Sequence, residues 1–298
     1  MKSNRTTIFF LILFHFSLMA FASYGQTQNE LKTLFKCTLI KTEWADGDSF
    51  QIKAPGEDPI TIRLYGADCI ELHVSDETDA RRLRGQRRYF GITDAAPKTV
   101  DSIELAKGFG KAAAEKTADL LKKPFTIHTY LRKALGDGTH LRYYAFIECA
   151  DGTDLASELV KAGLARTFGV FADGPGDRTA KEYEKTLNDL EFQAAKRGLG
   201  AWSVTNWDRL PIERKTQRED DNESELSIDN NKLKPGETID INKAARDELI
   251  KLPGVGEEIA NRIMGRQNYK NAEDLLEVEG IGPKKLNAMR PFLKFGPP

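Results

Sequence analysis

Alternation of apolar and polar residues along the first half of the chain predicts a set of short β-strands. Residues 35–54 form two strands around the turn Asp46-Gly47-Asp48, and residues 59–67 form a third. Residues 125–131 and 141–148 alternate in the same way, which adds a fourth and a fifth strand.

Segments with a helical period lie between these strands and after them. The period predicts helices over about 103–122, 155–162 and 179–197. Five strands, with one helix between the third and fourth and more helices after the fifth, fit a small Greek-key barrel. The sequence therefore predicts an α+β fold with a five-stranded OB-fold-like β-barrel, closed by Trp202.

The pattern changes after Pro211. Residues 213–237 are almost wholly polar, which predicts a solvated, flexible linker. Beyond it, Leu252-Pro253-Gly254-Val255-Gly256 is echoed by Val278-Glu279-Gly280-Ile281-Gly282. Each Gly-x-Gly turn lies between two helical segments, so residues 238–296 are predicted to form a small all-α domain.

The first residues have the pattern of an export signal. Lys2 and Arg5 precede an apolar run that reaches Phe21, and Ala20-Phe21-Ala22 offers a cleavage site. This predicts a cleaved signal peptide over 1–22 and a periplasmic or secreted protein, with an uncleaved anchor as the alternative. Because no other segment is long and apolar enough to span a bilayer, we expect no stable membrane partner.

The net charge of −1 gives the chain no global basic field, so a site for a polyanion must be a local patch. One candidate is the arginine-rich run 81–88. It fits a phosphate-contacting loop, and it fits an ordinary solvated surface equally well. The three cysteines, Cys37, Cys69 and Cys149, cannot all pair within one chain, and no disulfide is predicted.

Candidate chemistry is concentrated around the second and third strands. The turn 55–58 can fold these strands into a hairpin, which brings Asp48 towards Asp68 and Glu71. Clustered carboxylates repel one another and often lie together to hold a cation. An all-oxygen ligand set without a His or Cys cluster suits calcium or magnesium. A polar hairpin with solvated charges is the alternative.

The same residues resemble the staphylococcal-nuclease-like (thermonuclease) family. The resemblance rests on Asp46-Gly47-Asp48, on Arg63-Leu64 followed by Gly66, Asp68 and Glu71, and on Arg142 followed by Ala145 and Ile147. It covers about Phe35 to Trp202, within a predicted domain at 35–212. The resemblance implies that Asp48, Asp68 and the backbone carbonyl of Cys69 hold Ca²⁺. It also implies that Glu71 acts on the attacking water and that Arg63 and Arg142 bind the scissile phosphate.

The chain departs from the family pattern at several positions. Cys69-Ile70 replaces the usual Thr-Pro, which places a thiol beside the implied metal. His140 stands where the family has a tyrosine near the nucleotide, and a second aromatic position falls on Gly169. Phe168 and Phe171 lie nearby and could stack on bases, or they could simply belong to the core.

The C-terminal repeat resembles a tandem helix-hairpin-helix domain, similar to that of bacterial DNA-uptake proteins, with Asp240-Ile241-Asn242-Lys243-Ala244 as its entry. The resemblance implies that backbone N–H groups at the turns bind DNA phosphates without reading bases. The residues concerned are Gly254, Gly256, Gly280 and Gly282, with Lys284 and Lys285. Glu257 and Glu258 disfavour the first hairpin, and a protein-binding module is the alternative.

Together these features lead us to expect a secreted, Ca²⁺-dependent endonuclease with a DNA-binding module. It would cut DNA with little sequence preference and, by the resemblance, leave 3′-phosphate ends, with RNA and the oligomeric state left open. The alternative is a non-catalytic exported nucleic-acid-binding or DNA-uptake protein. The full set of arginines and carboxylates favours the enzyme.

Overall fold

The structure is a computed structural model that describes residues 30–75, 77–95, 98–134, 141–227, 233–266 and 269–296. The predicted signal peptide at 1–22 and His140 lie outside these ranges. Within them, no helix combines the length and the apolar character that crossing a membrane requires.

A five-stranded barrel forms the first domain. In the part of residues 30–200 that the structure describes, the strands are β1 (Lys32–Ile40), β2 (Ser49–Lys53), β3 (Ile60–Leu64), β4 (Ala67–Cys69), β5 (Phe125–Thr129), β6 (Arg142–Glu148) and β7 (Ala165–Thr167). The barrel closes in the order β1-β2-β3-β6-β5, and β5 pairs back with β1. Strands β3 and β6 are parallel, and the other barrel pairs are antiparallel. The predicted α+β fold with its OB-fold-like barrel is thus confirmed.

Alternation along the strands explains the barrel core. In β5, Phe125, Ile127 and Thr129 are buried, whereas the two residues between them are only partly buried. Phe50 and Ile62, from β2 and β3, belong to the same core. Apolar side chains on every second residue therefore fill the interior and leave the neighbouring positions for polar groups.

Among the described residues, the first domain has five α-helices: α1 (Glu77–Phe90), α2 (Thr99–Leu120), α3 (Leu155–Lys161), α4 (Ala180–Lys196) and α5 (Leu210–Ser227). Helices α2, α3 and α4 were predicted to within a few residues. Two glycines let α2 pack closely against the residues just before β2 and just after β4. A Cβ at Gly110 would lie 2.4 Å from the carbonyl oxygen of Ile70, and a Cβ at Gly47 would lie 2.6 Å from the Cβ of Ala113.

Helix α5 corrects the prediction of a flexible linker over 213–237. The first part of that segment continues α5, which packs on α1. Arg88 on α1 forms an ion pair with Asp220 (2.5 Å), and Arg214 donates a hydrogen bond to the carbonyl of Tyr89 (3.1 Å). The Arg214 guanidinium also lies 4.5 Å from the centre of the Tyr89 ring. The polar composition indicated a solvated segment because it does not reveal these partners on α1.

The C-terminal region is mainly helical. Its elements are β8 (Ile239–Asp240), α6 (Arg246–Leu249), α7 (Glu257–Arg266), a 3₁₀-helix (Ala272–Glu277), α8 (Pro283–Met289), a second 3₁₀-helix (Arg290–Phe292) and β9 (Leu293–Lys294). The four segments predicted as helical around the two turns are all present, the third as a 3₁₀-helix. Leu249, Ile263 and Leu275 form part of its buried core.

This C-terminal module packs directly on the barrel domain. The guanidinium of Arg132 is buried and donates hydrogen bonds to the carbonyls of Gly265 and Arg266, at the end of α7. Gly265 permits the contact, since a Cβ there would lie 2.2 Å from the carbonyl oxygen of Phe171. Arg132 thus satisfies terminal carbonyls of a helix in the other domain, where a cation is favoured.

Candidate active site

The β2–β3 hairpin brings Asp48, Arg63 and Asp68 into direct contact. In the register of the pair, Ser49 stands opposite Arg63. The guanidinium of Arg63 binds Asp48 Oδ1 through Nη1 (2.9 Å) and Asp68 Oδ1 through Nη2 (2.6 Å). Both carboxylates are buried, and the Arg63 side chain is 17% exposed. The predicted approach of the two strands therefore holds, with an arginine between the carboxylates.

Asp68 has two further partners that the sequence did not reveal. Arg166, opposite Asp68 in the β4–β7 pair, donates through Nε to Asp68 Oδ2 (2.8 Å). Gln86 on α1 donates to the same oxygen (3.0 Å). Burial opposes ionisation of Asp68, but Arg166, Arg63 and Gln86 together lower its pKa below the usual value. Asp68 is therefore held as a carboxylate.

Glu71 lies next to this cluster in a less compensated environment. Its backbone N–H donates to Gln86 Oε1 (2.8 Å), and its side chain faces Arg82 at 3.5 Å. Burial raises the pKa of Glu71 to about 7, an effect that Arg63 and Arg82 oppose. A carboxylate with such a pKa is suited to accept a proton near neutral pH.

Asp46 and Asp48 complete the acidic cluster. The carboxylate of Asp46 accepts hydrogen bonds from the N–H groups of Asp48 (3.1 Å) and Ser49 (2.6 Å), which fixes the turn. Burial raises the pKa of Asp48 to about 8. Arg63 opposes this rise, whereas Asp46 and Asp68 add to it. Buried carboxylates with raised pKa values are groups that a bound cation would stabilise.

The three implied metal ligands are neighbours in the structure. Asp48 Oδ2 accepts from the N–H of Cys69 (2.6 Å), and the carbonyl of Cys69 accepts from Gln86 Nε2 (2.7 Å). Among the described residues, no three His, Cys, Asp or Glu side chains are arranged to hold a metal ion. The implied set differs from such a triad because it uses two carboxylates and a backbone carbonyl. These oxygens fit a hard cation that would replace Arg63 and Gln86 as their partner.

The thiol of Cys69 is not an exposed reactive group. It is buried, and burial together with Asp48 raises its pKa well above the usual value. A protonated, buried thiol is a poor nucleophile and a poor metal ligand. Cys37 and Cys149 are also buried, and all three cysteines are free.

Arg142 lies on the strand next to Arg63. In the parallel β3–β6 pair, Arg142 stands opposite Thr61, and Tyr144 stands opposite Arg63. Burial lowers the pKa of Arg142, and the nearby charges of Arg63 and Arg82 lower it further. Its buried Nε has no hydrogen-bond partner among the described residues. An arginine in this situation would be stabilised by an anion.

The aromatic residues near Gly169 contact other groups of the protein. The ring of Phe168 lies 4.2 Å from the guanidinium of Arg166, which connects it indirectly to Asp68. Phe171 packs edge-on against the buried Tyr183 and closely over Gly66. Phe171 therefore stabilises the fold, and base stacking on Phe168 remains a prediction.

The two Gly-x-Gly turns have the backbone that their sequence suggested. Gly254 and Gly280 adopt φ values of +71° and +95°, which favour glycine. The side chain of Lys285 lies over the first turn, within 3.2–3.4 Å of the position that a Cβ at Gly254 would take. Arg262 on α7 donates to the carbonyl of Glu279 beside the second turn (3.3 Å). Each hairpin thus contacts the turn of the other.

Two stretches of the chain match known families. Residues 86–204 match the family described as staphylococcal nuclease homologue, and residues 234–294 match the helix-hairpin-helix motif. Arg142 lies inside the first match, whereas Asp48, Arg63, Asp68 and Glu71 precede it, so their roles remain predictions. A comparison with curated proteins finds no match. The chain carries a staphylococcal-nuclease-like domain followed by a C-terminal helix-hairpin-helix motif.

Proposed function

We propose that this protein is an exported, Ca²⁺-dependent nuclease that hydrolyses DNA with little sequence preference and leaves 3′-phosphate ends. The observation that carries the proposal is the contact of Arg63 with both Asp48 and Asp68, beside Glu71 and Arg142, whose Nε has no hydrogen-bond partner within the described part of the chain. Acidic groups for a cation and basic groups for a phosphate thus lie within one site. Export rests on the pattern of residues 1–22.

The residues divide the chemistry of phosphodiester hydrolysis among them. Asp48, Asp68 and the carbonyl of Cys69 would hold calcium, which would supply positive charge at the scissile phosphate. Arg63 and Arg142 bind phosphate oxygens and neutralise charge that develops on them, which their planar forks suit. Glu71 takes the proton of the attacking water.

The C-terminal module supports the nuclease domain by binding duplex DNA. Backbone groups at the two turns and the charges of Lys284 and Lys285 recognise phosphates, which carry no sequence information. Arg132 connects the module to the barrel domain, so bound DNA is kept near the cleavage site. This increases the effective concentration of substrate.

The direct test is to incubate purified protein comprising residues 23–298 with plasmid, single-stranded DNA and RNA. We expect cleavage of DNA with calcium, no cleavage in excess chelator, and restoration when calcium is added back. A 3′-phosphatase should release inorganic phosphate from the cleavage products, because their 3′ ends carry a phosphate. Full activity in chelator would overturn the metal assignment, and DNA binding without cleavage under any condition would favour the non-catalytic alternative.

A second prediction concerns the module. The double variant Lys284→Gln, Lys285→Gln should bind long duplex DNA about tenfold more weakly at low salt. It should also reduce the slope of log affinity against log salt by about two, since two phosphate contacts are lost. Glutamine keeps much of the side-chain packing over Gly254.

The matched control is Lys270→Gln, which removes an exposed charge from the same module. The double variant and the control variant should both cleave a short oligonucleotide at the parental rate. An unaltered salt slope in the double variant would indicate that the module binds a protein instead.

A further inference from the structure

Helix α1 places a third arginine at the candidate active site. Arg82 contacts Glu71 through an ion pair of 3.5 Å, and its side chain is 25% exposed. Its charge acts on Arg142 as well as on Glu71. The arginine-rich run 81–88, whose role the sequence left open, thus has one member that contacts the candidate active site and is partly exposed to solvent.

The position of Arg82 is fixed by Gln86, one helical turn later on the same face of α1. Gln86 is 1% exposed and makes three hydrogen bonds: to Asp68 Oδ2, to the carbonyl of Cys69 and from the N–H of Glu71. The opposite side of α1 is held by α5, through the ion pair of Arg88 with Asp220. Helix α1 is therefore locked in register with the segment that carries Asp68 and Glu71.

The balance of charge explains what Arg82 can bind. Without a cation, Asp48 and Asp68 neutralise Arg63. Glu71 and Asp79 lie within ion-pair distance of Arg82, at 3.5 and 4.0 Å. When a cation binds Asp48 and Asp68, Arg63 loses part of its negative partners and gains affinity for phosphate. The forked guanidiniums of Arg63 and Arg142 can together bind the oxygens of one phosphate. Arg82, which forms ion pairs with Glu71 and Asp79, lies beside this site and can bind a second phosphate.

We propose that Arg82 binds the phosphate adjoining the scissile one, exchanging its ion pair with Glu71 for that phosphate when a strand enters. The inference rests on the proposed nuclease function. It makes the enzyme prefer substrates with at least two consecutive phosphates. It also separates Glu71 from Arg82 when a strand binds.

The test compares two substrates: a single-stranded oligonucleotide, and a dinucleoside monophosphate that has no adjoining phosphate. Arg82→Ala should raise the KM for the oligonucleotide about 10- to 30-fold, the effect of one charge-assisted contact, with kcat nearly unchanged. The kcat/KM for the dinucleoside monophosphate should fall by a much smaller factor, which reflects only the lost contact of Arg82 with Glu71. Arg82→Lys, which keeps the charge, should recover part of the loss.

Arg84→Ala is the matched control, since Arg84 is an exposed arginine on the same helix. This variant should leave the KM and the kcat/KM of both substrates at the parental values. An equal loss with Arg84→Ala would show a diffuse basic surface and overturn the proposal. An equal loss for both substrates with Arg82→Ala would also overturn it, because weakening α1 or Glu71 would not depend on substrate length.

A binding measurement separates this proposal from the nuclease assignment. In excess chelator, the salt slope of oligonucleotide affinity should fall by about one for Arg82→Ala and stay unchanged for Arg84→Ala. If the parent protein cleaves nothing but this difference is found, the nuclease assignment fails and the phosphate site stands. If the slopes of Arg82→Ala and the parent are equal, the phosphate site fails.

Discussion

Arg63→Ala and Arg142→Ala should each lower the turnover of DNA cleavage by about three orders of magnitude. Removing one preorganised donor to a developing anion costs about 10²–10³ in rate, and an arginine supplies full charge as well as hydrogen bonds. Turnover is measured at saturating DNA with calcium. Arg209→Ala is the control, because Arg209 is an exposed arginine whose ion pair with Asp94 (3.4 Å) lies elsewhere on the surface.

The two variants should differ in stability, which distinguishes their roles. Without metal, Arg63 is the shared partner of two buried carboxylates. Its removal leaves Asp48 without an ion pair among the described residues, whereas Asp68 keeps Arg166. Breaking a buried pair in this way costs about 3–5 kcal/mol. Calcium should restore much of that loss by binding the same carboxylates. Arg142→Ala breaks no ion pair seen among the described residues and should unfold close to the parent temperature.

Thermal unfolding in chelator and in calcium measures this difference. If Arg63→Ala cleaves DNA at nearly the parental rate, Arg63 has been wrongly assigned to the phosphate. If its stability does not respond to calcium more strongly than that of the parent, the carboxylates it bridges are not the metal ligands.

Local patterns were sufficient to predict the central hairpin. Asp48, Arg63 and Asp68 come together because alternation set the strand register and a short turn joined the strands. The same alternation predicted the five strands of the barrel. In these elements the side-chain period and the buried face agree, so the sequence carries the structural information locally.

Helices α1 and α5 show where local patterns fail. The face of α1 that enters the protein includes Gln86 and Arg87, which are buried polar residues that a hydrophobic period cannot detect. Helix α5 is mostly charged, and its partners on α1 are more than 120 residues away in sequence, as with Arg88 and Asp220. Arg166 likewise joins Asp68 across 98 positions. Such contacts depend on tertiary structure and leave no local signal.

Glu71→Gln should lower turnover by a factor of about 10²–10⁴, the range for losing a general base, while making the metal-free protein more stable at neutral pH. The amide keeps the shape of the side chain but cannot take a proton from water. The ascending limb of the pH–rate profile that reflects ionisation of Glu71 should disappear. Glu57→Gln, in the exposed turn between β2 and β3, is the control.

The gain in stability follows from the raised pKa. Burial raises the pKa of Glu71 to about 7 in the folded protein, against 4.5 for the ordinary side chain, so the folded protein holds this proton to a higher pH. The folded state therefore binds more protons than the unfolded state between these values, and the stability of the parent falls as pH rises through them. Glutamine has no such dependence. The variant's advantage in chelator should grow from about pH 4.5 to pH 7 and then level off.

At 1.36 kcal/mol per pKa unit, the rise from 4.5 to about 7 corresponds to an advantage on the order of 3 kcal/mol. Chemical denaturation in excess chelator at several pH values measures it, with Glu57→Gln expected to follow the parent. A variant that is less stable than the parent at pH 8 would mean that the ion pair with Arg82 outweighs the cost of burying the charge. A variant with nearly parental turnover would exclude Glu71 as the base, whatever its stability.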